Sequence, residues 1–269
     1  MPGHTFGWVP DLPDQRDFLY SAPVANMAAL LPKMDLSPEC PKTVYDQGQL
    51  GSCTANAIAG ALEFDRIKEG LPDFTPSRLF IYYNERVMEN TVGTDSGAQI
   101  RDGIKSVGSV GAPPETDWPY NIAEFAVKPP AKAFADAPLD KAVQYQRVAQ
   151  VLGQMKGCLA SGYPFVYGFT VYESFESPQV AQTGVVPMPA SSEKVLGGHA
   201  VLAAGYDDSA QRFIVRNSWG PGWGIGGYFT VPYGYLTDSH LSDDFWTIRL
   251  VAKAAAHVGA EKSRSAGSR

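Results

Sequence analysis

Val215-Arg216-Asn217-Ser218-Trp219-Gly220-Pro221-Gly222-Trp223-Gly224-Ile225-Gly226-Gly227-Tyr228-Phe229 is the most informative stretch of this 269-residue chain. It opens and closes on apolar, β-prone residues, and a turn-rich centre carries two tryptophans, so 213–217 and 227–231 read as strands. Outward from it the same texture continues. Strands fit 143–148, 165–172, 200–206 and 245–251, with a short helix over 151–160. Further upstream the period changes. A helix opens at Cys53, with Ile58, Ala61 and Leu62 at helical spacing and Gly70 as its stop. Two more helices fit 77–88 and 97–107. Residues 111–120 carry no regular element, and the Pro- and Ala-rich residues 129–138 read as a linker. Helices first and strands later predict an α+β arrangement in two lobes.

Composition sets the outer bounds. The chain is 44% hydrophobic and 19% charged, too apolar for a disordered polypeptide and long enough for a full core. No apolar run approaches the length of a bilayer span. Net charge is −6, and the last 17 residues carry +3 of their own, so the body holds −9. An acidic body is a poor match for phosphate backbones, which argues against nucleic acid as the main ligand. The three cysteines (Cys40, Cys53, Cys158) form no C-x-x-C pair, and the four histidines show no metal-ligand spacing, so neither a metal nor another cofactor is expected. The first residues show no basic region followed by an apolar one. The expectation is a reduced, cytoplasmic location, or secretion by a route without a recognisable signal peptide.

Two residues carry nucleophilic chemistry. Cys53 stands at a helix start after Gly51-Ser52, where free N–H groups and the helix dipole favour a thiolate. His199 opens an apolar strand after Gly197-Gly198. Each alone reads more readily as structural. Their company changes this: Gln47 lies six residues before Cys53, His199 follows Cys53 by 146, and Asn217 follows His199 by 18.

With these three motifs in this order, the chain from about 44 to 251 resembles the papain family of cysteine peptidases. The resemblance implies an α+β, papain-like fold, with a helical lobe and a β-barrel-like lobe facing across a cleft. It implies that Cys53 is the nucleophile, paired as a thiolate with imidazolium His199. Asn217 would orient His199 beneath the shield of Trp219, and Gln47 with the Cys53 N–H would form the oxyanion hole. Gly97, preceded by Ser96 where the family has a second glycine, becomes a backbone partner for peptide substrates, and Gly198, Trp219 and Trp223 become cleft-wall candidates. The implied domain plan is an extended segment over 1–44, a helical lobe over 45–140, a β-rich lobe over 141–252 and a flexible tail over 253–269.

Departures from the family pattern matter as well. Thr54 replaces an aromatic after the nucleophile, which predicts a more open and polar cleft there. Leu50 replaces a disulfide cysteine, and Cys40 and Cys158 match no family bridge, so two free thiols are the preferred reading. Only 46 residues precede Gln47, resembling the short leader of prokaryotic members. That leader is Pro-rich and carries Trp8, Phe18 and Tyr20 as anchors. It reads either as a lid that inhibits the cleft from within or as a strap on the back of a lobe. The function expected is hydrolysis of peptide bonds in peptides or proteins. The alternatives are a Cys-His amidase or acyltransferase on another substrate, and a catalytically silent peptide-binding module.

Overall fold

Alanines, small residues and apolar side chains surround the helix that starts at Cys53, leaving it no solvent stripe, and such a helix must lie inside the molecule. The computed structural model describes residues 4–251, and there every residue from Cys53 to Arg66 is buried. In chain order the helices are α1 (Val24–Ala28), α2 (Cys53–Lys68), α3 (Arg78–Glu89), α4 (Ile100–Ser109), α5 (Ala131–Asp136), α6 (Leu152–Ala160), α7 (Pro178–Thr183) and α8 (Tyr233–Thr237). The strands are β1 (Trp8–Val9), β2 (Leu19–Tyr20), β3 (Lys33–Asp35), β4 (Ala98–Gln99), β5 (Ala142–Val148), β6 (Phe165–Tyr172), β7 (Val195–Asp207), β8 (Arg212–Arg216), β9 (Tyr228–Pro232) and β10 (Ser242–Val251).

Helix α2 packs against α3 and α4 and against strands β7 and β10. Ile58, Leu62, Leu202, Trp246 and Ile248 meet in the shared core, where each buried side chain contributes about 1.5–3 kcal/mol. A second core, with Phe165, Phe213, Val215, Phe229 and Phe245, fills the rest of the strand-rich half.

The main sheet runs β2-β5-β10-β6-β7-β8-β9, with β3 beside β7. It is antiparallel except at the β2–β5 pair. The described strands make an open sheet whose edge strands β2 and β9 do not pair, so the barrel-like lobe is not a closed barrel.

Three local readings also change. Residues 97–99, expected as the start of a helix, are not helical, because Ala98–Gln99 are extended and pair in parallel with Trp8–Val9. The expected linker contains α5, whose Ala133 packs with Ala137 against Phe80 in a small core of its own. Phe18 is no anchor, being 75% exposed, while Tyr20 is buried and its hydroxyl donates to the Gly157 carbonyl (3.3 Å). The basic tail expected over 253–269 lies outside the described residues.

No described helix is long and apolar enough to cross a membrane.

Candidate active site

Cys53 is the first residue of α2, with Asn56 holding the preceding turn through bonds to the Ser52 carbonyl (2.9 Å) and hydroxyl (3.1 Å). Its thiol is fully buried against the backbone of Ala200 and Gly7. The loop before it carries Leu50 in place of a cysteine and is tied down by Asp95. That carboxylate accepts the Gly51 N–H (3.0 Å) and the Tyr82 hydroxyl (2.5 Å).

Gln47 is aimed by its neighbours. Its amide N–H donates to the Ser218 carbonyl (2.9 Å), and the Ser218 hydroxyl donates to Gln47 Oε1 (2.7 Å). This leaves Nε2 to donate to the carbonyls of Leu50 (3.0 Å) and Thr5 (3.1 Å). Ser218 belongs to the informative stretch, yet nothing in the linear pattern marks it as the residue that orients Gln47.

His199 enters from β7, opposite Phe169 of β6, and Asn217 follows β8. His199 Nε2 lies 2.8 Å from Asn217 Oδ1, which also accepts the Ser218 N–H (2.9 Å). An oxygen accepting from both sides requires Nε2 to carry the hydrogen, so in the neutral ring the basic lone pair sits on Nδ1. Nδ1 is buried with no hydrogen-bond partner among the described residues. Trp219 stacks on the imidazole at 4.9 Å, covering its bond to Asn217. Trp223 stands edge-on to Trp219 at 5.1 Å and lines a groove of about 910 Å³ beside it.

The other candidates converge on one strip of backbone. Gly97 has φ +70°, and a Cβ there would lie 2.1 Å from the Gly7 carbonyl oxygen, so glycine is required twice over. Ser96 donates to the Gly97 carbonyl (3.1 Å), and the next N–H, that of Ala98, donates to the Gly7 carbonyl (2.8 Å). Gly198 faces the Trp8 carbonyl, 2.6 Å from where its own Cβ would be.

Thr54 overturns its expectation. It is fully buried and turned away from the cleft, its hydroxyl donating to Glu85 (2.9 Å), so it neither opens nor polarises the cleft wall. All three cysteines are free and buried.

Residues 4–11 account for the contacts on the cleft side. His4 lies flat on Trp219 (3.7 Å between ring centres, 1° between planes) and meets both oxygens of Glu176 at 3.0 Å. Phe6 sits 6.3 Å from His199. Trp8 slides against Gly168, where a Cβ would come within 2.0 Å of the indole, and donates to buried Asp244 (3.1 Å). The Asp11 N–H reaches the same carboxylate oxygen (2.8 Å).

Covered in this way, Cys53 and His199 are fully buried. Burial pushes the Cys53 thiol up to about 11, outweighing the backbone N–H groups that favour its anion. Burial also holds His199 down to about 4 against the pull of its Asn217 bond. Burial by the covering segment thus works against the expected thiolate–imidazolium pair from both sides.

Comparison with known proteins agrees on one family. The family model described as papain family cysteine protease matches residues 33–244. The chain is 42% identical to an uncharacterized peptidase C1-like protein of Acanthamoeba polyphaga mimivirus, over 91% of this chain and 87% of that protein. It is 28% identical to cathepsin B-like CP1 of Giardia intestinalis, over 80% and 71%. Among solved structures it superposes on xylellain, a cysteine protease from Xylella fastidiosa, with TM-score 0.86 and 45% identity over 93% of this chain and 97% of that one. A procathepsin B of Trypanosoma congolense shares the fold at TM-score 0.72 and 17% identity, over 93% and 87%.

Proposed function

Since the chain belongs to the papain family of cysteine proteases and is a peptide-bond hydrolase, we propose that Cys53, His199, Asn217 and Gln47 are its catalytic set. The observation that carries this reading is the buried, unpartnered Nδ1 of His199, its ring locked from the other side by Asn217. As substrate enters, the Cys53 S–H proton passes to Nδ1 and sulfur bonds to the scissile carbonyl carbon. The oxyanion that forms is met by Gln47 Nε2 and the Cys53 N–H. Collapse breaks the C–N bond, and the amine leaves with the proton from Nδ1. Water then gives a proton to Nδ1 and attacks the thioester, releasing the acid and restoring the thiol.

Residues 4–9 act in the same reading as an inhibitory lid. The leaving amine must lie on the His199 side, under Trp219, and the acyl half on the Gly97 side. A substrate therefore runs from Gly97 toward Trp219 in its N-to-C direction. The leader runs the other way, with His4 at Trp219 and Gly7 at Gly97 and Ala98. It occupies the cleft while presenting its peptide bonds in reverse order, which resists cleavage. Tethering raises its effective concentration, so weak contacts suffice.

Cys53→Ala tests the set. Peptide hydrolysis and labelling by a thiol-directed epoxide should both disappear with the fold intact, and more than trace turnover in that variant would refute the nucleophile.

A further inference from the structure

Resting on the catalytic assignment above, we propose that Glu176 is a specificity-determining residue: with the leader withdrawn, its carboxylate and the freed face of Trp219 select substrates with a basic residue at the first or second position after the scissile bond. Three observations carry this. The place is on the leaving side, because Trp219 stacks on His199, the group that protonates the departing amine. It is rigid, because the neighbouring Phe175 is buried against Trp219 (5.4 Å) and Trp223 (5.5 Å), fixing the backbone from which Glu176 projects. It is also selective in charge. The groove of about 910 Å³ has walls of Pro178, Ala181, Leu196 and Trp223, and among the described residues lining it Glu176 is the one acid or base apart from the leader's own His4.

His4 indicates the ligand chemistry. A flat, protonatable ring lies 3.7 Å from the indole with its nitrogen 3.0 Å from each Glu176 oxygen. Arginine satisfies the same two demands, a planar cation for the aromatic face and paired donors for the carboxylate. A free C-terminal carboxylate in that place would be repelled, which favours internal bonds over release of C-terminal residues.

The test uses the full chain and peptides competing in one tube, identical except for arginine or neutral, isosteric citrulline at the first or the second leaving-side position. Competition reports the ratio of kcat/KM. Lid opening cancels in that ratio, as does any effect of Glu176 on the titration of His199, which it favours in the charged form. Arginine should be preferred about tenfold at one of the two positions, the gain expected of a partly buried ion pair with stacking. The preference should fall to near unity in Glu176→Gln, and Glu176→Lys should favour glutamate at that position. A ratio within twofold of unity at both positions, or one unchanged in Glu176→Gln, overturns the assignment of Glu176 alone. Cleavage of neither peptide overturns the catalytic reading with it.

Discussion

The two halves of the N-terminal segment are held by different kinds of force. Residues 4–9 touch groups that a substrate would use: the Gln47 amide, the Ala98 N–H, the Trp219 face and the slot beside Gly168. These bonds are few, and the cleft can remake each of them with another peptide. Residues 14–36 are built into the fold. β2 pairs with β5 and β3 with β7, and Asp17 forms a buried pair with Arg101 at 2.6 Å, both side chains 5% exposed. Under the proposed reading, lid and strap, posed by the sequence as alternatives, describe successive parts of one segment. The lesson is that a chain can be exchangeable at one end only if the other end is not.

Four experiments test that division, taken here in order of effect. Gln47→Ala should lower kcat by about two to three orders of magnitude, the usual loss for one oxyanion donor, while epoxide labelling of Cys53 persists. An unchanged kcat would mean that Gln47 serves only to hold Thr5. In the strap, Asp17→Ala leaves buried Arg101 without its closest acidic partner and should cost about 3 kcal/mol of stability in denaturant melts, with kcat retained. A loss of turnover without a loss of stability would make the strap part of the lid. Deleting residues 1–9 should raise kcat/KM toward small peptides about thirtyfold and lower Tm by only a few degrees, since a closure worth about 2 kcal/mol is all that is removed. Alkylation of Cys53 near neutral pH should accelerate in parallel, because hydration relieves the burial that holds its thiol up and His199 down. A deletion reaching residue 35 would strip β2 and β3 as well and would confuse the two effects.

What the sequence made legible follows from how locally each feature is specified. The helix from Cys53 and the strands over 165–172 and 213–217 are written in periodicity, and they stand within a residue or two of their expected bounds. Cys53, His199, Asn217 and Gln47, the proposed catalytic set, were singled out because their order and spacing resemble the papain-family motifs. Features made by tertiary pairing left no local trace. Ala98–Gln99 are extended only because residues 8 and 9 lie beside them. Thr54 turns inward because Glu85, on another helix, accepts its hydroxyl. Glu176 and Asp244 meet the leader across the whole length of the chain, and in the sequence each is one acid among 28.

The smallest effect concerns the point where lid and strap join, and it depends on pH. The Asp11 and Asp244 side chains are wholly buried beside one another, with Asp17 and the more exposed Asp243 close by. Among the described residues only Arg101 and Arg147 pair with these four acids, so the cluster there has two more carboxyls than guanidiniums. Burial, reinforced by the neighbouring acids, raises Asp244 to about 7, and burial raises Asp11 as well. In the open state both groups meet water and return toward ordinary carboxylate values near 4. The closed state therefore binds more protons than the open one. Its advantage is complete below pH 4 and declines as pH rises through about 7, since ionisation must then occur in the dry, acid-rich site. The kcat/KM ratio of the 1–9 deletion to the full chain measures closure, and it should fall as pH rises from 5 to 8. Asp244→Asn keeps an acceptor for the Trp8 and Asp11 N–H groups but cannot ionise, so it should flatten the ratio. A flat ratio in the unmodified chain, or an equally steep one in Asp244→Asn, would refute this junction as the source of a pH dependence in the lid.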